Sequence, residues 1–201
     1  MANIAAPNGF SQRGGTGSAP TYEMVEMLVD YNTANIFSGD PVFRLNDGTV
    51  AGITTGPGPG TAAIAGIFVT CRYLSVSQKK VVWNQYWPGT DVASGNYVTA
   101  YVITDPNAQF VAQVGGSGST GLTQANVGLN VQFAYGTGNA ANGISGAYID
   151  ITVTPATTAT LPFRVVSLLT SPPGQNGTSA GAYNTAIVAF NNVETKSLTA
   201  V

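Results

Sequence analysis

The sequence predicts an all-β protein, with a β-sandwich or barrel body of about eleven short strands that follows an extended N-terminal arm. Short stretches rich in Val, Ile, Thr and aromatic residues recur between clusters of Gly, Pro and Asn, the pattern of strands joined by turns. Only the stretch LTQAN, residues 122–126, is compatible with a turn of helix. These two observations define the fold class.

The arm comprises residues 1–20, which are rich in Gly, Pro and Ser. A segment with so few bulky apolar groups cannot bury enough surface to fold alone, so we expect its order to come from outside the body, through another chain. The anchors available to it are, by elimination, Ile4, Pro7 and Phe10. Arg13 is the only charge in the arm that can pair with an acidic group on a partner.

The body comprises residues 21–201, within which we expect a smaller barrel-like part over 36–75 and a larger sandwich over 76–193. Asn46–Val50 carries an Asp-Gly pair, which is favoured in tight hairpins. The candidate strands, in chain order, are YEMVEMLVD, PVFRL, TVAGIT, AIAGIFVTCRY, KKVVWNQY, NYVTAYVIT, QFVAQV, VGLNVQFAY, AYIDITVT, LPFRVVSL and NTAIVAFNNV.

The surface must be mostly uncharged, because charged residues make up 8% of the chain, against about 25% in ordinary soluble domains. Such a surface suits a chain that packs against other chains. The net charge of −2, with Lys79-Lys80 as the only adjacent basic pair, argues against direct binding of nucleic acid. The start lacks the features of a secretory signal and no apolar run is long enough to span a membrane, so we expect synthesis in a cytoplasm and no membrane partner.

The inventory of reactive residues predicts no enzyme, no metal and no cofactor. The chain has no histidine, which removes the commonest general base and metal ligand. Asp40 and Asp47 lie in turn sequences, where such side chains bond nearby amides. Glu23 and Glu26 are three residues apart, which on a strand places them on opposite faces. The single cysteine, Cys71, lies in an apolar run and is expected to be buried.

The stretch WNQYWPGTD contains both tryptophans and is the strongest candidate for a binding site. Strand alternation across KKVVWNQYW places Trp83 and Tyr86 on opposite faces, which disfavours a flat platform for a sugar with Asp91 as a ligand. We therefore expect Trp83 to anchor the core, with Tyr86 and Trp87 packed at a sheet edge or interface.

Several stretches resemble decoration proteins of tailed bacteriophages, which are also called cement or head-stabilising proteins. The resemblance runs over residues 1–193 and is carried by MANIAAPNGF, IFSGDPVFRLNDGTVAGIT, AIAGIFVTCRY, VVWNQYWPGTD, NYVTAYVITDPNAQFVAQV, NVGLNV, LPFRVVSL and IVAFNNVE. The arm is richer in glycine than this family leads us to expect, and GPGPG makes the first hairpin loop unusually long.

The resemblance implies a non-enzymatic β-rich body on the exterior of the virion, bound to the major capsid protein and reinforcing contacts between capsomers. It also implies self-association, with a homotrimer favoured and a dimer as the runner-up. The competing class is a virion adhesin or a carbohydrate-binding β-sandwich that uses residues 83–91. Many copies on the shell favour the first class, and a few copies at the tail favour the second.

Overall fold

The computed structural model describes residues 3–15, 23–93, 95–169 and 180–196, which form fourteen strands and one 3-10 turn at Gln124–Asn126. The predicted all-β fold class is confirmed. The strands are β1 Ser11–Gly14, β2 Val25–Val29, β3 Ile36–Phe37, β4 Pro41–Arg44, β5 Val50–Ala51, β6 Gly66–Leu74, β7 Val81–Asn84, β8 Tyr86–Trp87, β9 Val98–Ile103, β10 Gln109–Gly115, β11 Asn130–Ala134, β12 Tyr148–Asp150, β13 Phe163–Leu168 and β14 Thr185–Phe190.

The first half of the body is a closed ring of five strands in the order β4-β5-β2-β9-β6, which β4 completes by pairing with β6. Strand β7 adds to the C-terminal part of β6, and the short pair β3–β8 lies beside the ring. The ring encloses an apolar core in which Ile36, Phe68 and Trp87 are among the largest buried side chains. We call this unit the first barrel.

The second half is another closed ring, in the order β10-β12-β11-β13-β14, completed by the pairing of β10 with β14. Its core is aromatic, with Phe110, Phe133, Phe163 and Phe190 packed against one another at ring-centroid distances of 4.8 to 6.5 Å. We call this unit the second barrel.

The expected division of the body between residues 75 and 76 is wrong. Strand β6 pairs with β7 and β9, both of which follow position 76, so the first barrel extends to Ile103. The second barrel begins at Gln109. Pairing between strands that are distant in sequence sets this boundary, and the local pattern of apolar residues does not predict such pairing.

The predicted hairpin at Asn46–Val50 is confirmed, between β4 and β5. Gly48 has φ +83°, a conformation that glycine adopts without strain. The Asp47 carboxylate accepts hydrogen bonds from the hydroxyl and the backbone N–H of Thr49, at 2.7 and 2.9 Å. These bonds lower the pKa of Asp47 and fix the turn, as expected for this residue type.

The expectation that the whole N-terminal segment is ordered by another chain is wrong for residues 9–14. Strand β1 pairs antiparallel with β10 of the same molecule. Phe10 is 2% exposed and stacks on Phe163 with ring centroids 4.4 Å apart, so it cannot anchor a partner. Gly9 allows the backbone before Phe10 to pass close to Ser145, because a Cβ at position 9 would lie 2.8 Å from the Cβ of Ser145. One aromatic side chain and one strand edge supply the contacts that composition alone does not predict.

The remaining predicted anchors lie nearer the surface. Ile4 is 79% exposed, Arg13 is exposed and Pro7 is partly buried. The Gln113 amide holds this segment, accepting from the backbone N–H of Ala6 at 2.8 Å and donating to the carbonyl of Ile4 at 2.9 Å. A role of Ile4 and Arg13 in contacts with another chain therefore stays a prediction. Residues 1, 2 and 16–20 of the expected arm lie outside the described residues.

Asp40 joins the two barrels. Its carboxylate is buried and accepts hydrogen bonds from the backbone N–H of Phe37, at 2.7 Å, and from the hydroxyl of Ser145 in the second barrel. A parallel bridge between Ser38 and Ile144 runs beside this contact. Burial raises the pKa of Asp40 to about 6, because the two hydrogen bonds offset only part of the effect of burial. The residue is thus part of the joint as well as of the predicted turn.

Replacing Asp40 with asparagine is expected to flatten the pH dependence of stability. Because the pKa of Asp40 is raised on folding, its stabilising contribution is complete below the pKa of the unfolded chain and is lost as pH rises through about 6. The loss amounts to about 3 kcal/mol, at 1.36 kcal/mol per pKa unit. Asparagine retains a hydrogen-bond acceptor and a donor without the charge. The stability of Asp40→Asn should therefore rise relative to that of wild type as the pH increases from 4 to 7.

Urea unfolding at several pH values measures this difference, with Asp47→Asn at the exposed hairpin as the control. If the stabilities of wild type and Asp40→Asn change in parallel from pH 4 to 7, the buried carboxylate of Asp40 is not the cause of the pH dependence.

Candidate functional site

The two tryptophans exchange the roles that the sequence predicts for them. Trp83 is 61% exposed, whereas Trp87 is 0% exposed and packs edge-on against Tyr73 at 5.3 Å. Strand β7 ends at Asn84 and a separate strand, β8, begins at Tyr86. Alternation holds within Val81–Asn84, with Trp83 on the outer side, and the interruption at Gln85 separates Trp87 from that pattern. The hypotheses that Trp83 anchors the core and that Trp87 packs at an edge are therefore wrong.

Tyr86 lies between these two extremes. It is partly buried and stacks on Phe37 of strand β3, with ring centroids 5.2 Å apart and planes within 10°. Since β3 and β8 form a two-stranded pair outside the five-stranded ring, Tyr86 packs at this small sheet, and its role at a sheet edge or interface stays a prediction.

Trp83 belongs to a row of side chains on the outer face of the first barrel. Its ring stacks on Tyr101 with centroids 5.0 Å apart and planes inclined by 27°. Arg72, its partner across the β6–β7 ladder, places its guanidinium carbon 5.5 Å from the centre of the indole. Trp83 and Tyr101 lie on strands β7 and β9, on either side of β6, so the indole extends across β6 to reach the phenol ring.

Glu26 completes the row at the other end. The Tyr101 hydroxyl donates a 2.8 Å hydrogen bond to Oε1 of Glu26, the residue opposite it on β2. Desolvation raises the pKa of Tyr101, and the hydrogen bond to Glu26 raises it further, so the phenol stays a donor at neutral pH. We call the four residues Glu26, Arg72, Trp83 and Tyr101 the aromatic face. Three further exposed side chains of the first barrel are Leu28, Val81 and Tyr97.

Two shallow clefts flank strand β7. One has a volume of 290 Å³ and is lined by residues that include Arg72, Asn96 and Tyr97. The other, of 390 Å³, follows Lys80 and all four residues of β7. The clefts and the aromatic face together form an open surface with aromatic rings, amides and cations, and they suit the binding of a flat or extended partner.

Asp91 takes no part in this surface, because hydrogen bonds within the turn occupy both carboxylate oxygens. Oδ2 accepts from the hydroxyl of Ser75 at 2.6 Å, and Oδ1 accepts from the backbone N–H of Ser77 at 2.8 Å. These bonds lower the pKa of Asp91. The residue has φ +73°, which fits a turn position for an acidic side chain. Asp91 therefore stabilises a turn, although it follows Trp83 closely in the sequence.

Cys71 behaves as the small buried hydrophobe that the sequence predicts. It is fully buried in the core of the first barrel, and burial raises the pKa of its thiol to about 12. Among the described residues, no three His, Cys, Asp or Glu side chains come close enough together to hold a metal ion. No helix within the described ranges is long and apolar enough to cross a membrane.

The sequence locates the aromatic stretch but misses Arg72, Tyr101 and Glu26 as its neighbours. The fold defines an all-β protein of two joined five-stranded barrels with an exposed aromatic face on the first. No protein-family model matches the chain, and neither the curated proteins nor the solved structures contain a match to it.

Proposed function

We propose that this protein is a non-enzymatic structural component of a tailed-bacteriophage virion, bound to the outside of the major capsid shell, where it reinforces contacts between capsomers. The observation that carries the proposal is the aromatic face. Trp, Tyr and Arg are the residue types that dominate the binding energy of protein interfaces, and all three meet here on an exposed sheet surface.

The composition of the surface supports a protein as the partner. With only 8% charged residues in the chain, few ions have to be desolvated when such a surface is covered. Trp83 and Tyr101 are already stacked on each other, so they lose little conformational freedom on binding. The resemblance of the sequence to capsid decoration proteins supports the same class of partner.

Ile4 and Arg13 provide a second contact in this proposal, since both are exposed on the N-terminal segment. Self-association, with a trimer favoured over a dimer, accounts for the remaining uncharged surface. A β-rich protomer that pairs with its copies also protects its strand edges.

Trp83→Ala is expected to weaken retention on shells by about 30-fold or more, the effect of losing an interface hot spot worth at least about 2 kcal/mol. The measurement is co-sedimentation of the variant with shells that lack the endogenous protein. Val153→Ala, which removes an exposed apolar side chain from the β12–β13 connection, is the matched control and should bind as wild type. Equal retention of both variants would refute the aromatic face as the shell contact.

The second candidate function is a virion adhesin that binds carbohydrate. The specific observation in its favour is the exposure of Trp83, because an aromatic ring must be open to solvent to stack on a sugar. The platform would be formed by Trp83 and Tyr101 without Asp91. A glycan array would distinguish the candidates: saturable binding of a glycan that Trp83→Ala abolishes favours the adhesin, and unchanged shell retention of the same variant would exclude the shell contact.

A further inference from the structure

Strand β7 has a free edge. Among the described residues it pairs with β6 alone. The bond from the backbone N–H of Ser75 to the carbonyl of Lys80, at 3.0 Å, marks these two as a hydrogen-bonded pair. Because hydrogen-bonded and non-hydrogen-bonded pairs alternate along an antiparallel ladder, Val81 and Trp83 direct their N–H and C=O groups away from β6. An incoming strand would find both pairs of backbone groups available.

The same two residues also expose their side chains. Val81 is 59% exposed and lies on the same face of β7 as Trp83. The 390 Å³ cleft is lined by every residue from Lys80 to Asn84, so it runs along the strand. An exposed edge that carries apolar side chains is a template for strand pairing, and natural proteins usually cover or charge such edges.

The charges around β7 specify the partner. Arg72, Lys79 and Lys80 are three of the seven basic residues of the chain, although the chain as a whole has a net charge of −2. The carboxylate in the adjoining loop, Asp91, already accepts hydrogen bonds at both oxygens. Glu26 accepts the Tyr101 hydroxyl at the far end of the aromatic face. Asp91 and Glu26 each carry a negative charge, but they are fewer than the three cations, so the β7 edge is locally basic by formal charge.

We infer that the free edge of β7 binds an extended, acidic segment of a partner protein as an added strand, with an apolar side chain of that segment seated on Trp83. Main-chain hydrogen bonds to Val81 and Trp83 supply affinity, and the indole and the three cations supply selectivity. This inference rests on the proposed function, since it gives the chemistry of the shell segment that the aromatic face meets.

A second copy of this chain fits the edge poorly. Residues 79–87 of a second copy contain two lysines and no carboxylate, so a paired β7 would add positive charge to this edge and bring no acidic group to neutralise it. An acidic segment neutralises the same group of charges. The inference therefore commits to a partner of opposite charge.

The test is a titration with two capped peptides, acetyl-Glu-Val-Glu-Val-Glu-amide and its lysine counterpart, followed by the emission of Trp83. Trp87 is buried, so the response of the exposed indole is separable. We expect saturable binding and a blue shift with the acidic peptide only. A response of equal affinity to both peptides, or none to either, would overturn the inference.

Two variants make the test specific to the edge. Val81→Pro removes an outward N–H and no ladder bond, a position where an edge strand tolerates proline. Lys79→Glu/Lys80→Glu reverses the charge and leaves the edge open. Each variant should weaken binding of the acidic peptide at least tenfold, whereas Arg13→Glu on β1 should leave that binding unchanged. Wild-type affinity in Val81→Pro, confirmed as folded by circular dichroism, contradicts strand addition.

Shell retention separates this inference from the proposed function. Full retention of Val81→Pro together with loss of Trp83→Ala means that the aromatic face binds the shell without strand addition, which overturns the inference alone. Peptide binding that depends on Val81, with shell retention unaffected by either variant, overturns the proposed function and supports the edge. Conversion of an oligomer to a monomer by Val81→Pro assigns the edge to a second copy and overturns the inference.

Discussion

Phe10→Ala is expected to destabilise the protein by about 3–5 kcal/mol, as truncations of buried phenylalanine do. The side chain is 2% exposed, stacks on Phe163 at 4.4 Å and meets the edge of Phe133 at 6.2 Å. Its removal leaves a cavity among aromatic rings that cannot close without moving the strands behind them. The N-terminal segment thus stabilises the second barrel from within the same molecule.

Chemical unfolding of Phe10→Ala beside Ile4→Ala measures this effect. Ile4 is exposed, so its truncation should change the free energy of unfolding by no more than about 0.5 kcal/mol. Deleting residues 2–18 should also lower the melting temperature, whereas an arm held only from outside the body predicts an unchanged melting profile. A deletion variant that melts as wild type would show that β1 and Phe10 are dispensable for the fold.

Trp87→Ala is expected to cost about 3–5 kcal/mol, the effect that the sequence assigns to Trp83. Trp87 is fully buried beside Tyr73 in the core of the first barrel. Trp83→Ala loses the contacts with Tyr101 and Arg72 and part of an exposed surface, so it should cost at most about 1.5 kcal/mol. The two variants should therefore differ strongly in stability and, in the opposite sense, in shell retention.

Trp87→Phe is the matched control for the core position. The indole Nε1 of Trp87 is buried and has no hydrogen-bond partner among the described residues, so phenylalanine removes an unsatisfied donor while keeping an aromatic ring. We expect it to be clearly more stable than Trp87→Ala in thermal melts. A larger loss of stability in Trp83→Ala than in Trp87→Ala would contradict the assignment of these two residues.

The sequence predicts the strands better than it predicts their partners. The hairpin at Asn46–Val50 follows from Asp-Gly chemistry, which is local. The pairing of Val25–Val29 with Val98–Ile103 crosses about 70 residues, and apolar alternation does not encode such a distance. The boundary between the barrels depends on pairings of this kind, and this is why it could not be placed from the sequence.

The candidate site shows the same limit. Alternation correctly places Val81 and Trp83 on one side of their strand, yet it cannot say which side faces the core. A usable signal exists in β9, where buried Val98, Ala100 and Val102 alternate with Tyr101 and leave the tyrosine facing outward. Its contact with Trp83 depends on β6 lying between the two strands, a tertiary fact.

Composition predicts the N-terminal segment wrongly because it averages over residues. Glycine and serine around Phe10 lower the mean apolarity of the segment, but a single buried phenylalanine contributes about 3–5 kcal/mol when a cavity receives it. Gly9 contributes by its lack of a Cβ, which lets the backbone approach Ser145 and Gly39 closely. Neither contribution is visible in a count of residue types.

The proposed position on the capsid shell can be tested by cryo-electron microscopy of phage particles assembled in the presence of this protein. We expect many copies on the outer surface of the shell, with the aromatic face of Glu26, Arg72, Trp83 and Tyr101 turned toward the capsid protein. Density for the two barrels only at the tail, or on the shell with Trp83 pointing to solvent, would contradict it.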